Sequence, residues 1–262
     1  MDLGLKGKSV FVAAASKGLG RATALEFARE GANVTIASRS KEQLSEAKRM
    51  IGEQTGTAVT AAVMDVRSEE EVRRAIAEAA QRFGGLDVLV CNAGGPPGGG
   101  FGDMSDEDWQ SAFELNLLST IRMIREALPY MRRAGEGRIV NVTSVSIKQP
   151  VDGLILSNVF RAGVQALTKS LASELAADRI LINTVAPGQI ATDRIRELDE
   201  DRAKKLGRPV ETVREDNVKQ IPLGRLGEPD EFGRIAAFYG SFANTYVTGQ
   251  SLLVDGGMVK AL

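Results

Sequence analysis

Histidine is absent from this chain of 262 residues. That removes the imidazole of every Ser-His-Asp or Cys-His mechanism and of most zinc sites, and no metal centre is expected. Cysteine occurs once, at Cys91, so no disulfide can close within the chain, and a reducing, cytoplasmic setting is expected. Aromatics are scarce at 5%, with three tyrosines: Tyr130, Tyr239 and Tyr246. No apolar run approaches the roughly 18 residues of a membrane span, and Met1–Lys8 lacks the hydrophobic core of a signal segment. No membrane partner is expected. Charge of one sign is lacking too: the net value is -1, which leaves no electrostatic footprint for nucleic acid. The expected partner is a small molecule.

What is present is alternation. Short apolar, β-rich runs occur at Ser9–Ala14, Val34–Ser38, Ala58–Asp65, Leu86–Asn92, Arg138–Thr143, Ile180–Val185 and Ser251–Val254. Amphipathic stretches separate them, among them Lys41–Glu53, Glu69–Phe83, Ser111–Arg133, Asn158–Ala177 and Asp230–Phe242. Near-continuous apolar strands between helices predict an α/β fold: one doubly wound, Rossmann-type parallel sheet of seven strands with helices on both faces. No linker composition interrupts the chain, so residues 1–262 are expected to form one domain. Two stretches break the alternation. Gly94–Gly100 reads Gly-Gly-Pro-Pro-Gly-Gly-Gly, a loop with no helix or strand option. Thr192–Gln220 is charged and helical in composition, either a solvated insertion or a mobile lid over a site.

The first strand runs into Ala15-Ser16-Lys17-Gly18-Leu19-Gly20, and a helix follows. A strand, a glycine turn and a helix N-terminus make an anion site, because free backbone N–H groups and the helix dipole point at a phosphate. Gly18 and Gly20 allow close backbone approach.

This loop is similar to the Thr-Gly-x-x-x-Gly-x-Gly motif of the classical short-chain dehydrogenase/reductase family, with Ala13-Ala14 in place of Thr-Gly. The turn must then tolerate a Cβ at Ala14. The resemblance extends along nearly the whole chain. Asp65-Val66 resembles the adenine-contacting pair. Asn92-Ala93-Gly94 resembles the Asn-Asn-Ala-Gly motif, with Cys91 in the first asparagine position. Asn116 lies where the helix-kinking asparagine is found. Asn141-Val142-Thr143-Ser144 resembles the strand carrying the active serine. Pro187-Gly188, with Ile190 and Thr192 after it, resembles the nicotinamide-side motif, and Val254-Asp255-Gly256-Gly257 the C-terminal signature. The resemblance implies a cofactor site built from Ala14, Ser16, Lys17, Gly18, Leu19, Gly20, Ser38, Arg39, Asp65, Val66, Asn92, Ala93, Gly94, Pro187, Gly188, Ile190 and Thr192. It also implies a homodimer or homotetramer through the two long helices.

An NAD site needs a carboxylate about 20 residues after the glycines to hold the ribose 2′-OH. Here Ser38 takes that place and Arg39 follows. A guanidinium attracts a 2′-phosphate through two hydrogen bonds where an acid would repel it. With Lys17 as a second cation, NADP(H) is the expected cofactor.

The catalytic pattern departs from the family. Its members place a tyrosine thirteen positions after the serine and a lysine four beyond. The tyrosine gives a proton to the carbonyl oxygen, the lysine holds the ribose and lowers the tyrosine pKa, and the serine hydrogen-bonds the substrate. Ser144 is in register, but position 157 is Ser157 and position 161 is Arg161. No tyrosine lies between Tyr130 and Tyr239 to rescue the motif. The implied catalytic set is therefore Ser144, Ser157, Arg161 and Asn116. Three readings stand open. The chain is a reductase of a carbonyl or acyl substrate, similar to 3-oxoacyl-[acyl-carrier-protein] reductases, with another proton donor: Ser144, a water, Lys148, or an acidic group on the substrate paired with Arg161. Or it is a catalytically inactive NADP(H)-binding sensor or partner subunit. Or it performs a different reaction on a bound nucleotide or small ligand.

Overall fold

The computed structural model describes residues Met1–Ala261. Seven parallel strands form one sheet in the order β3-β2-β1-β4-β5-β6-β7: β1 Ser9–Ala13, β2 Asn33–Ser38, β3 Val59–Val63, β4 Val88–Cys91, β5 Gly137–Val142, β6 Ile180–Pro187 and β7 Ser251–Val254. The connecting helices are α1 Gly18–Arg29, α2 Lys41–Thr55, α3 Glu69–Phe83, α4 Asp106–Phe113, α5 Ser119–Ala134, α6 Ile155–Glu174, α7 Asp193–Leu206, α8 Val210–Lys219 and α9 Pro229–Tyr239.

Strand periodicity divides the core in two. Val10 and Val12 of β1 face the apolar layer that includes Phe27 and Phe232, while Phe11 and Ala13 face the layer that includes Ile76 and Met123. Residues i and i+2 share a face of a strand, so a doubly covered strand must be apolar at every position. All five residues of β1 are buried.

The sheet order reverses between β1 and β4: the chain winds outward through β2 and β3, then returns beside β1. In such sheets the crevice at the carboxyl ends of the two central strands receives the ligand. No helix among the described residues is long and apolar enough to cross a membrane.

Three expectations change in detail. Ser111–Arg133, read as one helix, is α4, a π turn over Glu114–Leu118, and α5. Its start moves back to Asp106 because Ser105 and Asp108 form a capping box. The Gly94–Gly100 loop is not free of strand pairing: Gly99 bridges Leu154, with Gly99 N–H donating to Gly153 O at 2.7 Å. Thr192–Gln220 is a pair of helices, α7 and α8, with a buried contact of their own: Asn217 donates to Asp199 Oδ1 at 2.8 Å.

Candidate active site

The N-terminus of α1 differs from its neighbours. Ser40 caps α2 by accepting from Gln43 N–H, and Ser68 caps α3 by accepting from Glu71 N–H. At α1 the cap is Lys17, which makes no side-chain cap bond, and the first turn holds no acid. The orphan donors of this helix are left for an anion. Gly20 is packed tightly: a Cβ there would lie 2.3 Å from Ala14 O and 2.8 Å from Asn92 Nδ2. Asn92 in turn donates to Ala13 O and Ala14 O, both at 3.3 Å, tying the end of β4 to the turn after β1. Ala14 adopts φ 48°, the left-handed region that glycine favours. The Cβ expected to burden this turn is accommodated there under local strain.

Around the turn, Ser16 donates to Gln43 Oε1 at 3.3 Å. Leu19 is half-buried above the glycines. Thr192 approaches from the far side, its Cγ2 3.8 Å from where a Gly18 Cβ would stand. Lys17 is not a free cation: its Nζ lies 3.7 Å from Asp193 Oδ2 at the start of α7.

At the end of β2, Ser38 is half-buried and Arg39 exposed. Asp65 is the nearby acid, but Arg67 covers it through a 2.8 Å ion pair. The Arg67 hydrogen bond holds the Asp65 carboxyl below the usual carboxylate range. Val66 is buried beside it. With Asp65 neutralised by its own partner, the surplus charge at this corner is the Arg39 guanidinium.

The opposite wall is built from β6. Gly188 N–H donates to Val254 O at 2.9 Å, and a Cβ on Gly188 would strike Asp255 Cβ at 2.6 Å. Asp255 also accepts from Gly257 N–H and Val259 N–H. Beyond the half-buried Pro187, Ile190 bridges Gly227 and is buried, and Thr192 Oγ1 donates to Ile190 O at 3.3 Å. Between the walls the crevice is open: nothing lies within 4 Å of a Cβ built on Gly94. An uncapped helix, a glycine-floored turn and an open crevice at the strand reversal fit an extended dinucleotide.

The catalytic candidates converge beside it. Asn116 sits in the π turn, buried, and donates to Gly94 O at 2.9 Å. Its own carbonyl accepts from Thr120 Oγ1 at 3.2 Å. Arg161 reaches down from α6, its Nη1 2.6 Å from Val142 O and its Nη2 3.3 Å from Ala93 O. It is 7% exposed and faces no carboxylate. Burial, with repulsion from Arg194, pushes its pKa down to about 10. Ser144 Oγ accepts from Ser146 N–H at 3.2 Å, which leaves its own hydrogen free to donate. Ser157 is buried in the first turn of α6, four residues before Arg161. Lys148 is exposed. Cys91 is buried in β4, and burial pushes its thiol pKa up, which makes it a packing residue.

One residue escaped sequence reasoning. Arg194, second in α7, donates to Pro96 O at 2.8 Å and lies against Gly95. Nothing in the sequence separates it from the other charges of α7; its importance comes from a contact with a loop 98 residues away.

The enoyl-(acyl carrier protein) reductase family model matches residues 13–259. The chain belongs to the short-chain dehydrogenase/reductase family. It is 35% identical over 259 residues to the 3-oxoacyl-[acyl-carrier-protein] reductase FabG of Thermotoga maritima, covering 97% of this chain and 99% of that one. It is 34% identical to dehydrogenase/reductase SDR family member 4 of Oryctolagus cuniculus, covering 98% and 96%. Among solved structures, L-sorbose reductase from Gluconobacter frateurii in complex with NADPH and L-sorbose is similar with a TM-score of 0.94, at 32% identity and 100% coverage of both chains. An actinorhodin polyketide ketoreductase with NADPH gives 0.92 at 31% identity, covering 96% and 97%. The family assignment accounts for the sheet order, the glycine turn and the Asn116 π turn together.

Proposed function

We propose that the chain is an NADP(H)-dependent oxidoreductase that reduces a carbonyl to an alcohol, similar to the 3-oxoacyl-[acyl-carrier-protein] reductases, with a non-standard active site. The observation that carries this is the uncapped, acid-free N-terminus of α1 together with an end of β2 that offers Ser38 and Arg39 and no acid. The pyrophosphate would lie on Gly18, Leu19 and Gly20, the 2′-phosphate on Arg39, and the nicotinamide side along Gly94, Pro187, Ile190 and Thr192.

A nicotinamide held along Gly94, Pro187, Ile190 and Thr192 would supply the hydride for the carbonyl carbon. The chain does the rest. Ser144 donates its free hydroxyl hydrogen to the carbonyl oxygen. The proton balancing the hydride comes from water, relayed at Ser144 Oγ. Ser157 is too short to reach the position of a tyrosine hydroxyl. Arg161 supplies fixed positive charge near the oxygen that becomes negative, and such charge is worth more in a dry site than in water. The pair α7–α8 acts as a lid. Assembly as a homodimer or homotetramer is supported by two exposed apolar side chains: Phe101 (76% exposed), the end of the Phe101–Trp109–Phe160 aromatic cluster, and Val159 (45% exposed), which precedes Phe160 in α6.

Calorimetric titration with NADPH and NADH, followed by turnover over a carbonyl panel, tests the reading. NADPH is expected to bind at least about tenfold tighter, a gap of roughly 1.4 kcal/mol, with NADPH consumed on one substrate class. The replacements Ser157 and Arg161 favour a second reading, an inactive NADP(H)-binding sensor or partner subunit. Tight NADPH binding without turnover on any carbonyl selects it.

A further inference from the structure

Two arginines from different helices bind the same short stretch of chain. Arg161, on α6, donates to Ala93 O; Arg194, on α7, donates to Pro96 O. Neither has a strong counter-charge. Arg161 Nε is buried and, among the described residues, has no hydrogen-bond partner. The charge felt most by Arg161 is the second guanidinium, which repels it. Arg194 has one ion pair, to Glu197 at 3.9 Å, and that carboxylate is 57% exposed to solvent. A buried guanidinium without a carboxylate is costly, and the Arg194 guanidinium, 39% exposed, adds like charge beside it rather than relief. Folded proteins keep such an arrangement where a ligand supplies the missing charge.

Position separates this charge from the cofactor's phosphates. Arg161 touches carbonyls at the ends of β4 and β5. The phosphate turn follows β1, and Arg39 follows β2, on the other side of the strand reversal. Two buried hydroxyls without a hydrogen-bond partner among the described residues, Thr143 Oγ1 and Ser146 Oγ, flank Ser144 in the chain. A planar carboxylate is the group that a guanidinium binds through two parallel hydrogen bonds. Arg194 would cover it by swinging from Pro96 with the lid.

We propose that Arg161 and Arg194 form a receptor for a carboxylate carried by the substrate, so that this chain reduces oxo acids in preference to neutral ketones, esters or thioesters. The proposal rests on the reductase reading above and narrows its substrate class. It gives the missing tyrosine a context: a substrate held at its carboxylate is oriented without a phenol at position 157.

The experiment compares each acid with its neutral partner: acetoacetate with ethyl acetoacetate, and 2-oxobutanoate with 2-oxobutanamide. Turnover with NADPH is measured for the wild type, Arg194→Gln and Arg194→Lys, and binding of each compound to the protein–NADPH complex is measured by calorimetry. At least one acid is expected to exceed its neutral partner about 30-fold or more in kcat/KM. Arg194→Gln is expected to lower the acid's kcat/KM at least tenfold more than the neutral partner's, chiefly through KM, and Arg194→Lys to recover part of that loss. A neutral partner reduced as well as its acid overturns the proposal and leaves the reductase reading standing. Acids that bind with the same Arg194 dependence, but are not turned over, overturn the reductase reading and keep the receptor. If Arg194→Gln weakens NADPH as much as it weakens the acid, the cation belongs to the cofactor and the proposal falls.

Discussion

Lys17 Nζ stands 3.7 Å from the Asp193 carboxylate, so the turn after β1 and the start of α7 are tied across the crevice. Both side chains are about half exposed, and such a pair is worth about 0.2–1 kcal/mol. A cofactor phosphate that recruits Lys17 must draw it away from Asp193. Asp193→Asn should therefore tighten NADPH about 1.5- to 5-fold, less so at high salt. The Arg196 hydrogen bond holds the Asp193 carboxyl below its usual range, so the group stays ionised at pH 5. Mild acid should not reproduce the substitution. Calorimetry across both pH and salt checks this; weaker binding by the variant contradicts it.

Ser38→Asp with Arg39→Ile should invert the cofactor preference. An acid at the end of β2 supplies the partner a ribose 2′-OH needs and repels a 2′-phosphate. Arg67 already covers Asp65, so no existing acid masks the effect. Kd values for NADPH and NADH before and after the change decide it. An unaltered ratio means that the 2′-phosphate is held elsewhere.

Ser157→Tyr with Arg161→Lys should raise reduction of neutral ketones, recovering part of the roughly 10²–10⁴-fold that general acid catalysis contributes. Each change alone should do less, because the two act as a unit. The structure adds a cost. Arg161 serves Val142 O and Ala93 O at once, and a lysine reaching one leaves the other, for about 1–3 kcal/mol of lost stability. Leu156 beside it is fully buried, so a structure of the variant should be checked for the new ring's place. A faster wild type on the same ketones would assign Ser157 or Arg161 to a different working mechanism.

Ala14→Gly should be far less damaging than Ala13→Gly, by at least about 1 kcal/mol. Ala14 is held at φ 48°, where an L side chain is strained by roughly 1–2 kcal/mol. Ala13, in β1, only loses a buried methyl and gains unfolded-state freedom. Denaturant midpoints of the two variants make the comparison. Equal losses would mean that the turn relaxes the strain at Ala14.

The central strands were legible because a sheet covered on both faces asks for near-continuous apolar runs, as in β1 and β4; the part-exposed edge strands β3 and β7 were legible by their β-rich composition, and β7 lies at Ser251–Val254 as expected. Asn116 was legible only by resemblance. A π turn keeps the residues around it helical, so Glu114–Leu118 leaves no mark in the apolar periodicity. Local capping chemistry sets the start of α4, and Ser105 and Asp108 carry that signal in the sequence itself. The Arg161–Arg194 relationship was not, because it arises where α6 and α7 meet the loop after β4, and no local pattern encodes a meeting of distant segments. For the same reason Lys17, read as a second cation for the cofactor, proves to be paired with Asp193.

The anchoring of Gly188 on Val254 and Asp255 has a consequence for biosynthesis. A chain emerging from the ribosome can pair β1 with β2 as soon as Ala37 has followed Ser9, since their register runs from Ser9–Asn33 to Ala13–Ala37. The wall that ends in Thr192 must wait for residues made more than sixty positions later, because Gly188 N–H has its partner on β7 and its Cα rests on Asp255. The phosphate turn is thus shaped early and the nicotinamide side last. A nascent chain stalled before Val254 would carry half a crevice, exposing the hydrogen-bonding edge of β6 that β7 pairs with. Recognition by chaperones, and failure of premature truncations to accumulate, should concentrate on that interval of synthesis.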